Sequence, residues 1–144
     1  MKVAEAMTRG AHLVKAEDTL KRAAQIMSEE DVGFLPVEEN DRLVGTITDR
    51  DIVVRCLAKG KGGDTLVRDA MTDDVKYCFE DEEMDHVITN MGDIQVRRLP
   101  VLDRNKRLVG VVTVADAVLA YSPESAGTAL AGICSPGGMH ADAG

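Results

Sequence analysis

The sequence predicts a mixed α/β fold, of the α+β kind, built from two copies of one strand-helix-strand-strand-helix unit. Three observations carry that reading. Ala6-Met7-Thr8 returns as Ala70-Met71-Thr72, and Leu35-Pro36-Val37 returns as Leu99-Pro100-Val101, each 64 residues later. Arg42-Leu43-Val44-Gly45, followed by Thr48 and Asp51, returns 65 residues later as Arg107-Leu108-Val109-Gly110, followed by Thr113 and Asp116. One extra residue in the loop Leu102 to Lys106, against Glu38 to Asp41, accounts for the change of register. Motifs repeated in one order at one spacing mark an internal repeat. A twofold-repeated unit creates paired, quasi-equivalent clefts, and clefts are where small ligands bind.

Each element follows from local chemistry. A short extended piece around His12 to Val14 opens the first repeat. Asp18 is the expected N-cap of a helix whose apolar stripe is Leu20, Ala23, Ala24 and Met27, spaced as one helix face requires. The second repeat carries Met84, Val87, Ile88 and Met91 at the corresponding positions. Phe34 to Val37 and Leu43 to Thr48 read as strands joined by the polar turn Glu38-Glu39-Asn40-Asp41. Their counterparts are Arg98 to Val101 and Leu108 to Thr113, joined through Asp103-Arg104-Asn105-Lys106. A closing helix follows, Arg50 to Lys59 in one copy and Ala115 to Tyr121 in the other. The repeats span 2–60 and 67–122, and 61–66, in the glycine-rich stretch Gly60-Lys61-Gly62-Gly63-Asp64, is expected to be a flexible connector. Residues 123–144 are rich in Gly and Ala and are expected to form a loosely attached tail, with one short helix near Ser125 to Leu130.

Composition narrows the function. A chain of 144 residues buries one respectable core, and half of it is marginal alone, so two interlocked halves are expected. The net charge of −8 opposes nucleic acid and anionic membranes as partners. Aromatics at 3%, with no tryptophan, leave no base-stacking platform. No apolar run is long enough to cross a bilayer and Met1-Lys2-Val3-Ala4-Glu5 is not a signal peptide, so a cytoplasmic location is expected. Cys56, Cys78 and Cys134 are odd in number and far apart, which reads as idle thiols in a reducing compartment, with a regulatory disulfide through Cys134 as the alternative. His12, His86 and His140 are scattered and none stands at metal-ligand spacing. Glu80-Asp81-Glu82-Glu83 reads as a solvated face or a helix start and lacks the glycine-punctuated loop of a calcium site. No catalytic set and no metal site are expected, so the chain is not read as an enzyme.

The strongest chemical signal is Gly45-Thr46-Ile47-Thr48-Asp49-Arg50-Asp51 and its echo Gly110-Val111-Val112-Thr113-Val114-Ala115-Asp116, each where a strand hands over to a helix. Helix starts offer unpaired N–H groups, a threonine hydroxyl adds a donor for phosphate, and an aspartate accepts from the two hydroxyls of a ribose. Thr-x-x-Asp is also a capping box that needs no ligand, and the two roles are compatible. The reciprocal box favours Glu or Gln, so the shorter Asp in both copies argues for more than a cap. The repeats differ before the proline: Val96-Arg97-Arg98-Leu99 stands where the first repeat has Val32-Gly33-Phe34-Leu35. Neighbouring arginines on a strand point to opposite faces, so one of Arg97 and Arg98 faces a given cleft, where its planar fork suits phosphate. In the first repeat Arg50 is the nearby cation.

With two full sets in register over residues 2 to 122, the chain resembles a tandem pair of CBS domains, a Bateman module. It is most similar to short free-standing members of the hypoxic-response-protein type, with Ile133-Cys134-Ser135-Pro136 adding to the match. The resemblance implies two β-α-β-β-α repeats packed as a pseudo-twofold intramolecular dimer, whose two clefts bind AMP, ADP or ATP and, in some members, NAD or S-adenosylmethionine. Carried over residue by residue, one cleft uses Thr113 and Asp116, with Arg97 or Arg98 at the phosphates and Thr8, His12, Val32 and Gly33 on the adenine side. The other uses Thr48 and Asp51, with Arg50 nearby and Thr72, Val75, Tyr77 and Val96 around the base. Gly33 and Phe34, in place of the arginines, put phosphate binding at this second site in question. The resemblance further implies a homodimer and a regulatory protein for energy or redox sensing, with no required cofactor and an effector protein as its output. A ligand-free interaction module is the alternative.

Overall fold

The computed structural model describes residues 1–136. The expected mixed α/β architecture is present as two sheets with helices. The chain divides into two compact units, His12–Val75 and Met1–Ala11 together with the chain from Lys76 onward. These are called here the first-repeat and second-repeat units.

The first-repeat unit runs β2 (Val14–Lys15), α2 (Leu20–Glu30), β3 (Phe34–Glu39), β4 (Arg42–Thr48) and α3 (Asp49–Asp51). Its three-stranded sheet has the order β2-β3-β4, parallel then antiparallel. The second-repeat unit opens with α1 (Val3–Ala6) and β1 (Thr8–Arg9), then resumes with β5 (Cys78–Phe79) and α4 (Met84–Ile94). It closes with β6 (Arg98–Leu102), β7 (Leu108–Thr113), α5 (Val114–Ala120) and α6 (Pro123–Ile133). Its sheet has the order β1-β7-β6-β5. Both units carry a bulge one residue past the strand proline, between Val37 and Glu38 and between Val101 and Leu102. The prolines fit because β2 pairs only with Val37 and Glu38, and β5 only with Val101 and Leu102. Pro36 and Pro100 therefore lie beyond the reach of the parallel neighbour, where no N–H is needed.

Several local expectations change. Thr19, not Asp18, caps α2, its Oγ1 accepting from the Arg22 N–H at 3.2 Å, while Asp18 Oδ2 accepts from the Lys15 N–H in the preceding turn. The buried face of α2 uses Ile26 where Ala24 was expected, and Ala24 is exposed. The connector is held rather than loose: the Gly63 and Thr65 carbonyls accept from Lys21 and Leu20, satisfying orphan donors of the α2 start. The helix expected over Arg50 to Lys59 breaks into three pieces. After α3 comes a π-helical turn, Ile52–Cys56, in which the Leu57 N–H reaches the Ile52 as well as the Val53 carbonyl, and then a 3-10 turn, Leu57–Lys59.

The region after Ser122 departs furthest from expectation. Instead of a loose tail, α6 buries Ala126, Ala129 and Ile133. Small residues let it approach α4 closely: a Cβ on Gly132 would meet the Gly92 carbonyl at 2.9 Å. Gln95 Nε2 donates to the Gly132 carbonyl at 2.9 Å and holds the end of the helix. Residues 137–144, with His140, lie outside the described residues.

The acidic run 80–83 is a helix start, with Glu83 the N-cap residue of α4, and its exposed carboxylates are also paired. Glu83 pairs with Lys2 Nζ at 2.8 Å and with the N-terminal ammonium at 3.3 Å, and Asp81 receives two bonds from Arg104. The N-terminal segment thereby docks on the second repeat, with Val3 at 0% exposure in its core. Among the described residues no helix is long and apolar enough to cross a membrane.

Candidate functional site

Each strand-to-helix junction is closed by the same reciprocal exchange. In the first-repeat unit the Asp51 N–H donates to Thr48 Oγ1 (3.1 Å) and the Thr48 N–H to Asp51 Oδ2 (3.0 Å). In the second-repeat unit the Asp116 N–H donates to Thr113 Oγ1 (3.0 Å) and the Thr113 N–H to Asp116 Oδ2 (2.9 Å). Aspartate is long enough here, which corrects the inference that its shortness argues against a cap. Only Oδ2 is spent on the box. Both carboxylates are half-buried, and Oδ1 of each lies outside the box.

The repeated Ala-Met-Thr segments reach these junctions from the side. β1 runs antiparallel to β7 with Thr8 opposite Val111 and Arg9 opposite Gly110. Thr72 bridges Thr46, the two backbones exchanging bonds of 2.9 and 2.8 Å. The segment preceding each repeat thus pairs with the sheet of the other repeat. This exchange explains the glycine of the motif: a Cβ on Gly110 would meet the Thr8 carbonyl oxygen at 2.4 Å, and one on Gly45 the Thr72 carbonyl at 2.8 Å. The sequence signal was the glycine repeated beside a repeated Met-Thr, and its structural meaning appears only once the partner backbone is in place.

The strand register distinguishes the arginines. Arg98 lies opposite Thr113, as Phe34 lies opposite Thr48, so Arg98 rather than Arg97 shares a sheet face with the capping threonine. The Arg97 carbonyl accepts from the Val114 N–H at 3.0 Å, and the Gly33 carbonyl from Asp49 at 3.0 Å. A Cβ on Gly33 would come within 2.8 Å of the Asp49 carboxylate. The first-repeat unit therefore places an anion where the second-repeat unit has Arg97.

One functional candidate was not anticipated. Arg55, in the π-helical turn, donates from Nη1 to Thr72 Oγ1 at 3.1 Å and to the Ala70 carbonyl at 3.4 Å, and its Nε lies 3.7 Å from Asp51 Oδ1. It ties together the two motif residues of its unit. The repeat offset of 65 puts Ala120 at the matching position of the other unit, and that inequality was the available signal.

The remaining expected residues are distributed as follows. Thr8, Tyr77, Val96, Arg97, Arg98, Thr113 and Asp116 belong to the second-repeat unit, and His12, Val32, Gly33, Thr48, Arg50, Asp51, Thr72 and Val75 to the first-repeat unit. His12 Nε2 pairs with Glu30 at 3.0 Å. Val32 and Tyr77 are exposed, Tyr77 resting edge-on against Phe79 with ring centroids 5.6 Å apart. Val75 is half-buried and Arg50 exposed, whereas Val96 packs in the core of its unit. Among the described residues no group of three or more His, Cys, Asp or Glu is placed to hold a metal ion. Cys56 and Cys78 are buried, and burial, with Glu82 adding to it, pushes the Cys78 thiol up to about 12.

Comparison with known proteins gives these features relatives. A model of the CBS domain matches residues 3–57 and 67–123. The CBS domain-containing protein YhcV of Bacillus subtilis is 38% identical over 132 residues, covering 91% of this chain and 94% of that protein. Hypoxic response protein 1 of Mycobacterium tuberculosis is 39% identical over 133 residues, covering 90% and 92%. Among solved structures, Hypoxic Response Protein I with two coordinated zinc ions is similar with a TM-score of 0.76 at 36% identity, over 83% of this chain and 98% of that one. A CBS domain pair in complex with 5′-methylthioadenosine and S-adenosyl-L-methionine is similar with a TM-score of 0.74 at 29% identity, over 86% and 98%. CBSX2 in complex with AMP is similar with a TM-score of 0.71 at 27% identity, over 83% and 94%.

Proposed function

Because this chain belongs to the CBS-domain family and carries the domain twice, we propose that it is a regulatory module that binds adenosine-containing ligands and performs no chemistry on them. The observation that supports this most is the twice-built junction in which a capping aspartate closes the helix start through Oδ2 and has Oδ1 outside the box, faced by Arg55 in the first-repeat unit. Relatives in complex with AMP, and with 5′-methylthioadenosine and S-adenosyl-L-methionine, share one chemical part, the adenosine. In this reading Asp116 accepts from the ribose hydroxyls, Thr113 donates its hydroxyl, Arg98 meets the phosphates and Thr8 flanks the base. Asp51, Thr48 and Thr72 serve the other site, which lacks a strand arginine. AMP, ADP, ATP, NAD and S-adenosylmethionine are the candidate ligands, and no cofactor is required. Occupancy is passed on through a change of shape or through the affinity for a partner protein, from a homodimer, as energy or redox sensing would use it.

A second reading, a ligand-free interaction module, draws support from the closed boxes, which satisfy two N–H groups at each helix start without a ligand. A thermal-shift screen separates the two. A ligand at a hundred times its dissociation constant stabilises by about 2.7 kcal/mol. A clear rise with at least one of the five ligands is expected, and no rise with any of them would favour the interaction module.

A further inference from the structure

We propose that Arg55 sets the ligand selectivity of the first-repeat site, holding its acceptors against an uncharged adenosine and releasing them to a phosphorylated one. The inference rests on the adenosine-ligand reading above and adds a gate to one of its two sites.

The argument starts from the acceptors. Oδ2 of Asp51 is committed to the Thr48 N–H, so Oδ1 is the oxygen a ribose would use, and Oδ1 is the atom that Arg55 Nε approaches. Thr72 Oγ1, on the neighbouring segment, already accepts from Arg55 Nη1 at 3.1 Å. A guanidinium thus stands on both groups that a nucleoside would need. The π-helical turn carries it there, and such turns recur at functional positions. In the second-repeat unit the matching residue is Ala120, which cannot make this contact, so no arginine reaches Asp116 and Thr8 from that helix position.

Charge decides what displaces it. A neutral nucleoside that takes Asp51 strips Arg55 of its carboxylate neighbour and offers no anion in return. A phosphate offers a stronger one, which a planar fork holds by two parallel bonds. The first-repeat unit needs that cation, since Gly33 and Phe34 replace the strand arginines and the Asp49 carboxylate lies against Gly33. The Arg55 side chain is about half exposed, so its hold on Asp51 is weak and the gate is a matter of few-fold effects.

The test uses the full chain with Asp116→Ala to silence the other site, and calorimetry with adenosine and with AMP. Arg55→Ala is expected to tighten adenosine about two- to fivefold, the worth of a lost half-exposed ion pair. It is expected to weaken AMP about tenfold, the worth of a charge-assisted bond. The reciprocal variant Ala120→Arg, in an Asp51→Ala background, needs no intact Arg55 helix and is expected to weaken adenosine at the second-repeat site. An unchanged ratio of AMP to adenosine affinity in both variants, or equal weakening of both ligands by Arg55→Ala, overturns the proposal while leaving the binding reading intact. Failure of the unmutated protein to bind either ligand overturns both.

Discussion

Thr48 with Asp51 and Thr113 with Asp116 close the same box with bonds that agree within 0.1 Å, yet the surroundings of the two boxes differ in charge and in what lies one turn along. Beside Thr113 the strand brings Arg98, and beyond Asp116 the helix continues regularly to Ala120. Beside Thr48 the strand brings Phe34, the helix start adds the Asp49 carboxylate, and a π-helical turn returns Arg55 to Asp51 and Thr72. The backbone frame was duplicated and kept, and the charges on it were reassigned. What is identical in the two halves carries the frame and the shared part of the proposed ligand, and what differs is where the two proposed sites would part in ligand choice. That division can be attacked by experiment.

The largest effect is expected where the frame is tightest. Gly110→Ala drives a methyl to 2.4 Å from the Thr8 carbonyl oxygen, a backbone atom that cannot swing aside, and is expected to destabilise by about 3 kcal/mol or more. Gly45→Ala meets the Met71 thioether at 2.7 Å and the Thr72 carbonyl at 2.8 Å, and part of that strain relaxes through a flexible side chain. A loss of about 1–2 kcal/mol is expected there. Denaturant unfolding measures both. Equal losses would mean that the two crossings are equally rigid and that the frames are more alike than their contacts suggest.

Next come the carboxylates. Asp116→Ala is expected to cost AMP affinity about 1.5–3 kcal/mol, a tenfold to hundredfold loss by calorimetry. Asp51→Ala is expected to cost less, because its site lacks a strand arginine. Equal losses would sink the asymmetry between the sites, and unchanged affinity in Asp116→Ala would remove the residue from the site altogether. Smaller still is the capping term, which should be the same in both halves. Thr48→Ala and Thr113→Ala are each expected to lower stability by about 1 kcal/mol, read from unfolding without ligand. A marked difference between them would show that the boxes are not interchangeable after all.

How much of this was legible beforehand depended on whether the cause was local. The repeat, the strand pairs and the buried face of α4 could be read directly, because Met84, Val87, Ile88 and Met91 announce their own periodicity. The capping motif was also local, though its chemistry was misjudged, since reach in a box depends on where the N-cap N–H points. Three features were hidden because their partners are distant in sequence. Gly45 and Gly110 answer to backbone from the other repeat. A short helix near Ser125 to Leu130 was expected and lies within α6, but it was expected to be loosely attached, whereas its small residues are what close packing on Gly92 requires. Arg55 carried only one hint, an alanine at the matching position, and nothing local said which acceptors it would find.

The smallest expected effect concerns a contact that only the second-repeat unit has. Its N-terminal segment is held by Glu83, whose carboxyl lies below the usual carboxylate range because Lys2 donates to it, with the N-terminal ammonium adding to the effect. Lys2 is raised in turn by the same bond. A depressed carboxylate contributes stability above its unfolded value, here 4.5, and loses it as pH falls through the folded value. A raised lysine contributes below its unfolded value of 10.5 and loses that contribution as pH rises through the folded one. Docking of the segment is therefore strongest between those limits. The Val3 and Ala4 amides, which donate to the Glu82 and Glu80 carbonyls, are its reporters. Their hydrogen-exchange protection, corrected for intrinsic rates, is expected to fall modestly below pH 4.5 and to be flat across that range in Glu83→Gln. Protection that drops equally in the variant would assign the acid sensitivity to other groups, and the ion pair would then be a surface contact without weight in holding the exchanged segment.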